Sequence, residues 1–174
     1  MKVLIIGAAG RVGSAALAAC LHKKHTVTAF LRNPSLLPPS LLSHPRLRII
    51  QGEPTSHPAL VEALRDQDSV IQASVYGAPS SHSESENVVR SIISAVKEVQ
   101  AARARRIRLW VMSGQVMVDI PVEEEGEVYP IHPEHYRDYD FLREGEGGKD
   151  VDWSLMYPKK VEGGEVRVLL YNIR

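Results

Sequence analysis

The sequence predicts an α/β fold in which helices cover both faces of a doubly wound parallel sheet. A short continuous apolar run opens the chain, glycines follow it, and β-branched runs then alternate with helical patterns. This alternation implies right-handed β–α–β crossovers, which place consecutive strands parallel in one sheet. A chain of 174 residues, 44% of them hydrophobic, supports one sizeable core. We therefore predict a single domain over residues 1–174.

The predicted strands and helices alternate up to Met112. The opening run Val3–Ile6 is typical of a strand that is buried on both faces of a parallel sheet. Further strands are predicted at Thr26–Leu31, Leu47–Ile50, Val70–Ala73 and Ile107–Met112, and helices at Val12–Leu21, Pro58–Leu64 and Glu86–Ala102.

The remaining segments are less regular. Prolines predict a surface loop without regular elements between the second and third strands, at Pro34, Pro38, Pro39 and Pro45. An acidic stretch occupies Pro121–Pro133. Beyond it we expect a helix at Glu134–Glu144 and strands at Trp153–Met156 and Glu165–Tyr171.

Composition and charge argue against several classes of protein. Basic and acidic side chains number 21 each, so the chain offers no overall attraction to polyanions and no nucleic-acid partner is expected. The basic run Arg103–Arg108 is interpreted as the cover of a helix end. The single Cys20 excludes an internal disulfide and favours a reducing, cytoplasmic location. The opening apolar run ends at Gly7, far short of the roughly 20 residues of a membrane span, and no signal-peptide pattern follows, so no membrane association is expected.

Three glycines at G-x-x-G-x-x-G spacing connect the first strand to the first helix. Gly7 allows a tight turn, Gly10 lets the backbone approach a diphosphate, and Gly13 permits close contact between helix and strand. The helix N-terminus then presents free N–H groups and the positive end of its dipole. This pattern predicts a dinucleotide-binding Rossmann fold. The expected cofactor-binding residues of the loop are Gly7, Ala9, Gly10, Arg11, Val12 and Gly13.

The residue after the second strand indicates which dinucleotide is bound. An acidic residue is usual there when a ribose 2′-hydroxyl must be recognised, but this chain has Arg32. A guanidinium suits a 2′-phosphate, and Arg11 in the glycine loop can assist from the other side. We therefore predict NADP (NADPH) as the cofactor in preference to NAD.

With these residues in place, the chain resembles the atypical short-chain dehydrogenases/reductases of the NAD(P)-binding, NmrA-like group. Within that group it is most similar to the flavin reductase (biliverdin reductase B) type. Besides the glycine loop, the shared segments are Phe30–Pro34, Gln51–Glu53, Val111–Ser113, His135–Tyr139 and Asp152–Pro158.

The resemblance assigns roles to individual residues. It implies that Arg32 meets the 2′-phosphate, that Glu53 lies near the adenine, and that Gly77 borders the cofactor beyond the fourth strand. Ser113 would stand beside the nicotinamide. Two departures leave the substrate open: Lys160 replaces a histidine, and Leu36 replaces a second basic residue. The chain also closes at Arg174 where a further strand and helix are usual, so one side of the substrate pocket is expected to be missing or rebuilt. We accordingly expect a shortened C-terminus.

Candidate catalytic residues are Ser113, Lys160 and His135. Ser113 either contacts substrate or carboxamide or only caps the following turn, and Lys160 either supplies positive charge or is solvated. His135, near the start of a predicted helix, is a candidate for the pocket wall. His132 stands three residues before it, but no further ligands at metal-binding spacing follow, so no metal is expected.

The sequence lacks the Tyr-x-x-x-Lys pair with which short-chain dehydrogenases protonate a carbonyl. Reduction of a flavin, quinone or related conjugated molecule needs mainly a stacked geometry, because the acceptor is already electrophilic. We therefore predict an NADPH-dependent oxidoreductase with such a small-molecule substrate. Two alternatives stay open: a dinucleotide-binding redox sensor that binds a protein partner without turnover, and an isomerase or dehydratase on the same fold.

Overall fold

The computed structural model describes residues 1–74, 82–103, 105–112, 141–143, 147–160 and 166–171, excluding the side chains of residues 82–85, 157–160 and 166–171. The strands are β1 (Lys2–Ile6), β2 (Thr26–Leu31), β3 (Leu47–Gln51), β4 (Ser69–Gln72), β5 (Arg108–Met112), β6 (Asp152–Lys160) and β7 (Val166–Tyr171). The helices are α1 (Arg11–His22), α2 (Pro39–Leu42), α3 (His57–Leu64) and α4 (His82–Arg103).

All seven strands form one sheet in the order β3-β2-β1-β4-β5-β6-β7. The strands from β3 to β6 are parallel, as the alternating pattern predicts. The connections run one way from β1 to β3 and the other way from β4 to β6, so the order reverses between β1 and β4. This confirms the Rossmann-type α/β fold and puts its ligand-binding crevice at the carboxyl ends of those two strands.

The last strand corrects the expectation of a wholly parallel sheet. β7 pairs antiparallel with β6, from Leu155 opposite Tyr171 to Lys160 opposite Val166. β6 is therefore longer than the strand predicted at Trp153–Met156, because β7 supplies pairing partners for its second half.

The segment between β2 and β3 is more regular than its prolines predict. A 3-10 turn spans Pro34–Leu36 and the short helix α2 begins at Pro39. Proline is tolerated at these first positions because its missing N–H would have no intrahelical acceptor there. The Asn33 side chain caps the turn by accepting from the backbone N–H of Ser35 at 3.1 Å.

The other predicted elements are confirmed with boundary shifts of up to four residues, the largest at the start of α4. Of the helix predicted at Glu134–Glu144, the structure describes only residues 141–143, which are helical. The acidic stretch Pro121–Pro133 lies outside the described residues. Within the described ranges, no helix combines the length and the apolar character that crossing a membrane requires.

The core lies on both faces of the sheet. On one face, α3 and α4 pack against alternate residues of β1, β4 and β5, including Leu4, Val70 and Leu109, none of which is exposed. On the other, Leu17 of α1 packs against Ile5 and its neighbours. A third, small cluster joins α1 to the carboxyl ends of β4 and β5 and to the middle of β6; its buried members are Val12, Ala73, Met112 and Met156.

The basic run is distributed differently from the prediction. α4 ends at Arg103, so a basic residue does lie in a last helical turn, and its guanidinium donates to the Gln67 carbonyl at 3.1 Å. Arg108, however, lies in β5, where it pairs with Asp152 and donates to the hydroxyl of buried Ser154. That part of the run joins β5 to β6.

Asp68 joins the amino ends of β1 and β4. Its carboxylate accepts from the Lys2 backbone N–H at 2.8 Å and lies 3.0 Å from the Arg105 guanidinium. The Lys2 hydrogen bond is the largest effect and holds the pKa of Asp68 below its ordinary value. Burial opposes it, and the positive charges of Arg105, the N-terminus and Arg103 lower the pKa further.

Replacing Asp68 by Asn is expected to lower the free energy of unfolding by about 1 kcal/mol at neutral pH. Because the folded-state pKa is the lower one, the carboxylate stabilises the fold above its unfolded pKa. This contribution is lost as the pH falls through the folded pKa, so wild type and D68N should converge in acid. Urea unfolding at neutral and acid pH measures this, with the exposed Asp66→Asn as control. A difference that stays constant in acid would contradict the assignment.

Candidate functional site

The glycine loop turns sharply between β1 and α1. Gly7 has φ +83°, a left-handed conformation that favours glycine, and its N–H donates to the Phe30 carbonyl at 3.0 Å. Its carbonyl accepts from the Gly10 N–H at 2.9 Å. A Cβ on Gly7 would lie 2.7 Å from the backbone nitrogen of Ser74. The first glycine thus brings the loop into direct contact with the chain that leaves β4.

Gly13 and Gly10 face different surroundings. A Cβ on Gly13 would lie 2.1 Å from the Gly7 carbonyl oxygen, so glycine is required for α1 to pack on its own loop. Among the described residues, a Cβ on the exposed Gly10 would meet that oxygen at 3.3 Å and the Ala73 oxygen at 3.9 Å. Within this part of the chain the space outside Gly10 is open, which fits a backbone that an approaching diphosphate can reach closely.

The start of α1 supplies hydrogen-bond donors to this space. Gly10 is the N-cap and has no side chain with which to cap the helix, and the first turn contains no acidic residue. The first hydrogen bond across the cap runs from the Ser14 N–H to the Gly10 carbonyl at 2.8 Å. The N–H groups of residues 11–13 come before this bond and have no acceptor within the helix. They form the positive end of the helix dipole. These groups suit an anion such as a diphosphate.

The remaining loop residues contribute in different ways. The Val12 side chain is 7% exposed and packs in the third core cluster, so only its backbone is available to a ligand. Ala9 is half-buried against the core on the α1 face. The Arg11 side chain is exposed at the helix start. All six residues predicted for the glycine loop therefore lie together at the carboxyl end of β1.

Arg32 lies at the same edge of the sheet, immediately after β2. Its backbone is held from β3, because the Gln51 side chain donates to the Arg32 carbonyl at 3.0 Å and the Gly52 N–H donates to the Leu31 carbonyl at 3.1 Å. The side chain is exposed, and within the described part of the chain neither its guanidinium nor that of Arg11 has a hydrogen-bond or ion-pair partner. Both cations are available to a bound anion.

The neighbouring residues define the edge beyond Arg32. Leu36, where the resemblance implies a second basic residue, is 68% exposed in the 3-10 turn. Glu53 is exposed two residues beyond β3, and its carbonyl accepts from the Ser56 N–H at 2.8 Å. Gly52 was missed as a site residue. A Cβ there would lie 2.6 Å from the Phe30 ring, so glycine allows the chain to pass over that ring toward Glu53.

Sequence reasoning also missed Gln72, the last residue of β4. Its side chain is buried, and its amide nitrogen donates to the carbonyl of Ser74 at 3.0 Å and to the Ser74 hydroxyl at 2.9 Å. Its amide oxygen accepts from the Met112 backbone N–H at 3.1 Å. The polar residue at the carboxyl end of β4, directly after apolar Val70 and Ile71, was the available signal.

The structure leaves untested the predicted catalytic residues and one predicted cofactor-binding residue, Gly77. Gly77, Ser113 and His135 lie outside the described residues, and Lys160 is described only as the backbone at the end of β6. Among the described residues, no group of three or more potential ligands is placed to hold a metal ion. Cys20 is half-buried in α1, where burial raises the pKa of its thiol and so disfavours the nucleophilic thiolate.

A family model described as NAD(P)H-binding matches residues 7–168. A 3 beta-hydroxysteroid dehydrogenase/Delta 5-->4-isomerase of Mycobacterium tuberculosis is 36% identical over 70 residues, which cover 40% of this chain and 18% of that enzyme. The chain therefore matches less than a fifth of that relative's length.

Solved structures share the fold. A Rossmann-fold NAD(P)-binding family protein from Shigella flexneri is similar over 90% of this chain and 66% of its own, with a TM-score of 0.62 and 20% identity. The Bordetella bronchiseptica enzyme WbmH, solved in complex with NAD+, is similar over 90% of this chain and 55% of its own, with a TM-score of 0.64 and 17% identity. At these identities the likeness concerns the fold.

Replacing Gly13 by Ala should mainly reduce stability, whereas replacing Gly10 by Ala should mainly weaken dinucleotide binding. G13A is expected to lower the free energy of unfolding by about 2 kcal/mol or more, because its methyl group overlaps the Gly7 carbonyl. G10A should cost about 1 kcal/mol or less, yet weaken dinucleotide binding by about tenfold. Thermal unfolding and calorimetric titration with NADP and NAD measure the two effects. Full affinity in G10A would argue against diphosphate contact at this glycine.

Proposed function

The chain belongs to the NAD(P)H-binding family, and from this premise we propose that it is an NADPH-dependent oxidoreductase acting on a flavin, quinone or related conjugated small molecule. The observation that carries the proposal is the glycine loop, whose open face at Gly10 adjoins the uncapped start of α1. When bound there, the reduced dinucleotide supplies the hydride. The protein's own residues bind and orient it.

The preference for NADP rests on two arginines. Arg32 is fixed at the end of β2 by the Gln51 side chain, and Arg11 begins α1 on the adjacent strand connection. A guanidinium forms strong, charge-assisted hydrogen bonds with a phosphate. Each lacks a partner among the described residues, so binding a 2′-phosphate would break no ion pair within that part of the chain.

The choice of a conjugated acceptor rests on what the sequence does not contain. Without a Tyr-x-x-x-Lys pair, the chain lacks the proton donor that carbonyl reduction uses in short-chain dehydrogenases. A flavin or quinone is electrophilic without such a donor, and solvent can deliver the proton. Ser113 and Lys160, which follow β5 and end β6 in the sequence, are proposed to contact the acceptor.

The mycobacterial relative supports a second candidate. Its name describes alcohol oxidation and double-bond isomerisation, and the same fold can serve such chemistry here. The match is confined to 70 residues, and the missing Tyr-x-x-x-Lys pair weighs against alcohol oxidation. We therefore place a dehydrogenase/isomerase second.

Turnover separates these functions. Purified protein mixed with NADPH and FMN, and then with simple quinones, should oxidise NADPH, followed at the nicotinamide absorption band. A hydroxysteroid with NAD serves as the comparison substrate. Tight NADPH binding without oxidation by any acceptor would instead indicate a redox sensor, and turnover of the steroid alone would indicate the second candidate.

Replacing Arg32 by Asp should change cofactor preference. The carboxylate would repel a 2′-phosphate but can accept from a 2′-hydroxyl, so affinity for NADPH should fall by about a hundredfold while that for NADH changes by about threefold or less. Calorimetric titration with both nucleotides measures this. Arg106→Asp, an exposed arginine just before β5 at the opposite edge of the sheet, is the charge-matched control. Equal losses for the two nucleotides would remove the argument for NADP.

A further inference from the structure

Gln72 forms a hydrogen-bonded bridge at the switch point of the sheet. It is the last residue of β4, opposite Ile6 of β1 and Val111 of β5 in the strand register. Its side chain is 2% exposed in a layer whose neighbouring members are apolar. An amide buried in such surroundings is tolerated only when its polar atoms are hydrogen-bonded.

The partners of Gln72 fix the orientation of its amide. The Met112 N–H can only donate, so it faces the amide oxygen at 3.1 Å. The Ser74 carbonyl can only accept, so it faces the amide nitrogen at 3.0 Å. The side chain therefore links the backbone that leaves β4 to the last residue of β5.

Both linked segments border the cofactor crevice. Ser74 is the residue that a Cβ on Gly7 would strike, so its position determines where the glycine loop lies. Met112 packs with Val12 of α1 in the third core cluster. The Arg32 side of the crevice is held separately, by Gln51 at the end of β3 and Gly52 after it. Gln72 therefore acts on the half of the crevice that lies away from Arg32.

We propose that Gln72 is a positioning residue for the nicotinamide half of the bound dinucleotide. Its amide sets the spacing between the carboxyl ends of β4 and β5. It thereby sets the position of the backbone that this half of the cofactor meets. The inference rests on the dinucleotide binding of the proposed function and is independent of the hydride acceptor.

A second buried glutamine provides a matched control. Gln67 is 4% exposed and lies just before β4, at the amino edge of the sheet, away from the crevice. Its amide nitrogen donates to the Thr28 hydroxyl at 3.1 Å, and its amide oxygen has no hydrogen-bond partner within the described residues. Gln→Met replacement at either position preserves side-chain length while removing the amide.

The test compares Gln72→Met with Gln67→Met in the full chain. Dissociation constants are measured for NADPH and for 2′,5′-ADP, which carries only the adenine half, and urea unfolding is measured in parallel. Q72M is expected to weaken NADPH binding by about tenfold and 2′,5′-ADP binding by less than about twofold. The fluorescence of bound NADPH should shift toward that of the free nucleotide. Q67M should leave both affinities and the fluorescence unchanged, whatever its effect on stability.

Each outcome decides the proposal. An equal loss for NADPH and 2′,5′-ADP in Q72M, or unchanged affinity for both, would overturn it. The same holds if Q67M reproduces the Q72M pattern, because the effect would then be one of stability. If Q72M does not fold, Gln72→Asn carries the same comparison, since it keeps a neutral amide but is one methylene shorter than the side chain that reaches both Met112 and Ser74. Wild-type protein that binds neither NADPH nor NADH would refute the proposed function itself.

Discussion

The close contact between α1 and its own loop is the constraint on which the rest of the site depends. At Gly13 there is no room for a single methyl group beside the Gly7 carbonyl, and at Gly7 there is none beside the backbone of Ser74. The first contact fixes α1 against the end of β1. The second fixes the glycine loop against the chain that leaves β4. The donors at the start of α1 are thereby aimed at the crevice, where a diphosphate would meet them.

Around this contact, the two halves of the crevice are built in different ways. On the Arg32 side, a strand end, a backbone carbonyl held by Gln51 and a glycine that passes over Phe30 join segments 19 to 22 residues apart in sequence. On the other side, Gln72 joins segments that are 38 to 40 residues apart in sequence, from Ser74 and Gln72 to Met112. The first half is exposed and polar, whereas the second is held by buried hydrogen bonds.

This difference explains what could be predicted from the sequence. The strand Val3–Ile6 and the spacing of Gly7, Gly10 and Gly13 were recognisable because they are local patterns, and the structure places them as expected. Arg32 was recognisable for the same reason. Gln72 was not, because its role depends on which strands become neighbours in the sheet, and no local pattern records that its amide reaches Met112.

Errors in the predicted fold have similar causes. The antiparallel direction of β7 depends on the pairing of its residues with the second half of β6, which a run of β-branched residues does not specify. Prolines were interpreted as breaking all regular structure between β2 and β3. Pro34 and Pro39 instead begin helical turns, because at first positions the missing N–H has no consequence.

Neighbouring strands of this sheet are separated by very different lengths of chain, and the hairpin of β6 and β7 is the short extreme. Lys160 and Val166 meet across a short connection, whereas Lys2 meets Asp68 across 66 residues. The entropy lost on closing a loop grows with its length, so the centre of the sheet is the harder part to bring together. A molecule bound between Gly7 and the end of β4 contributes its binding free energy where β1 meets β4. This is the strand pair whose formation costs the most loop-closure entropy.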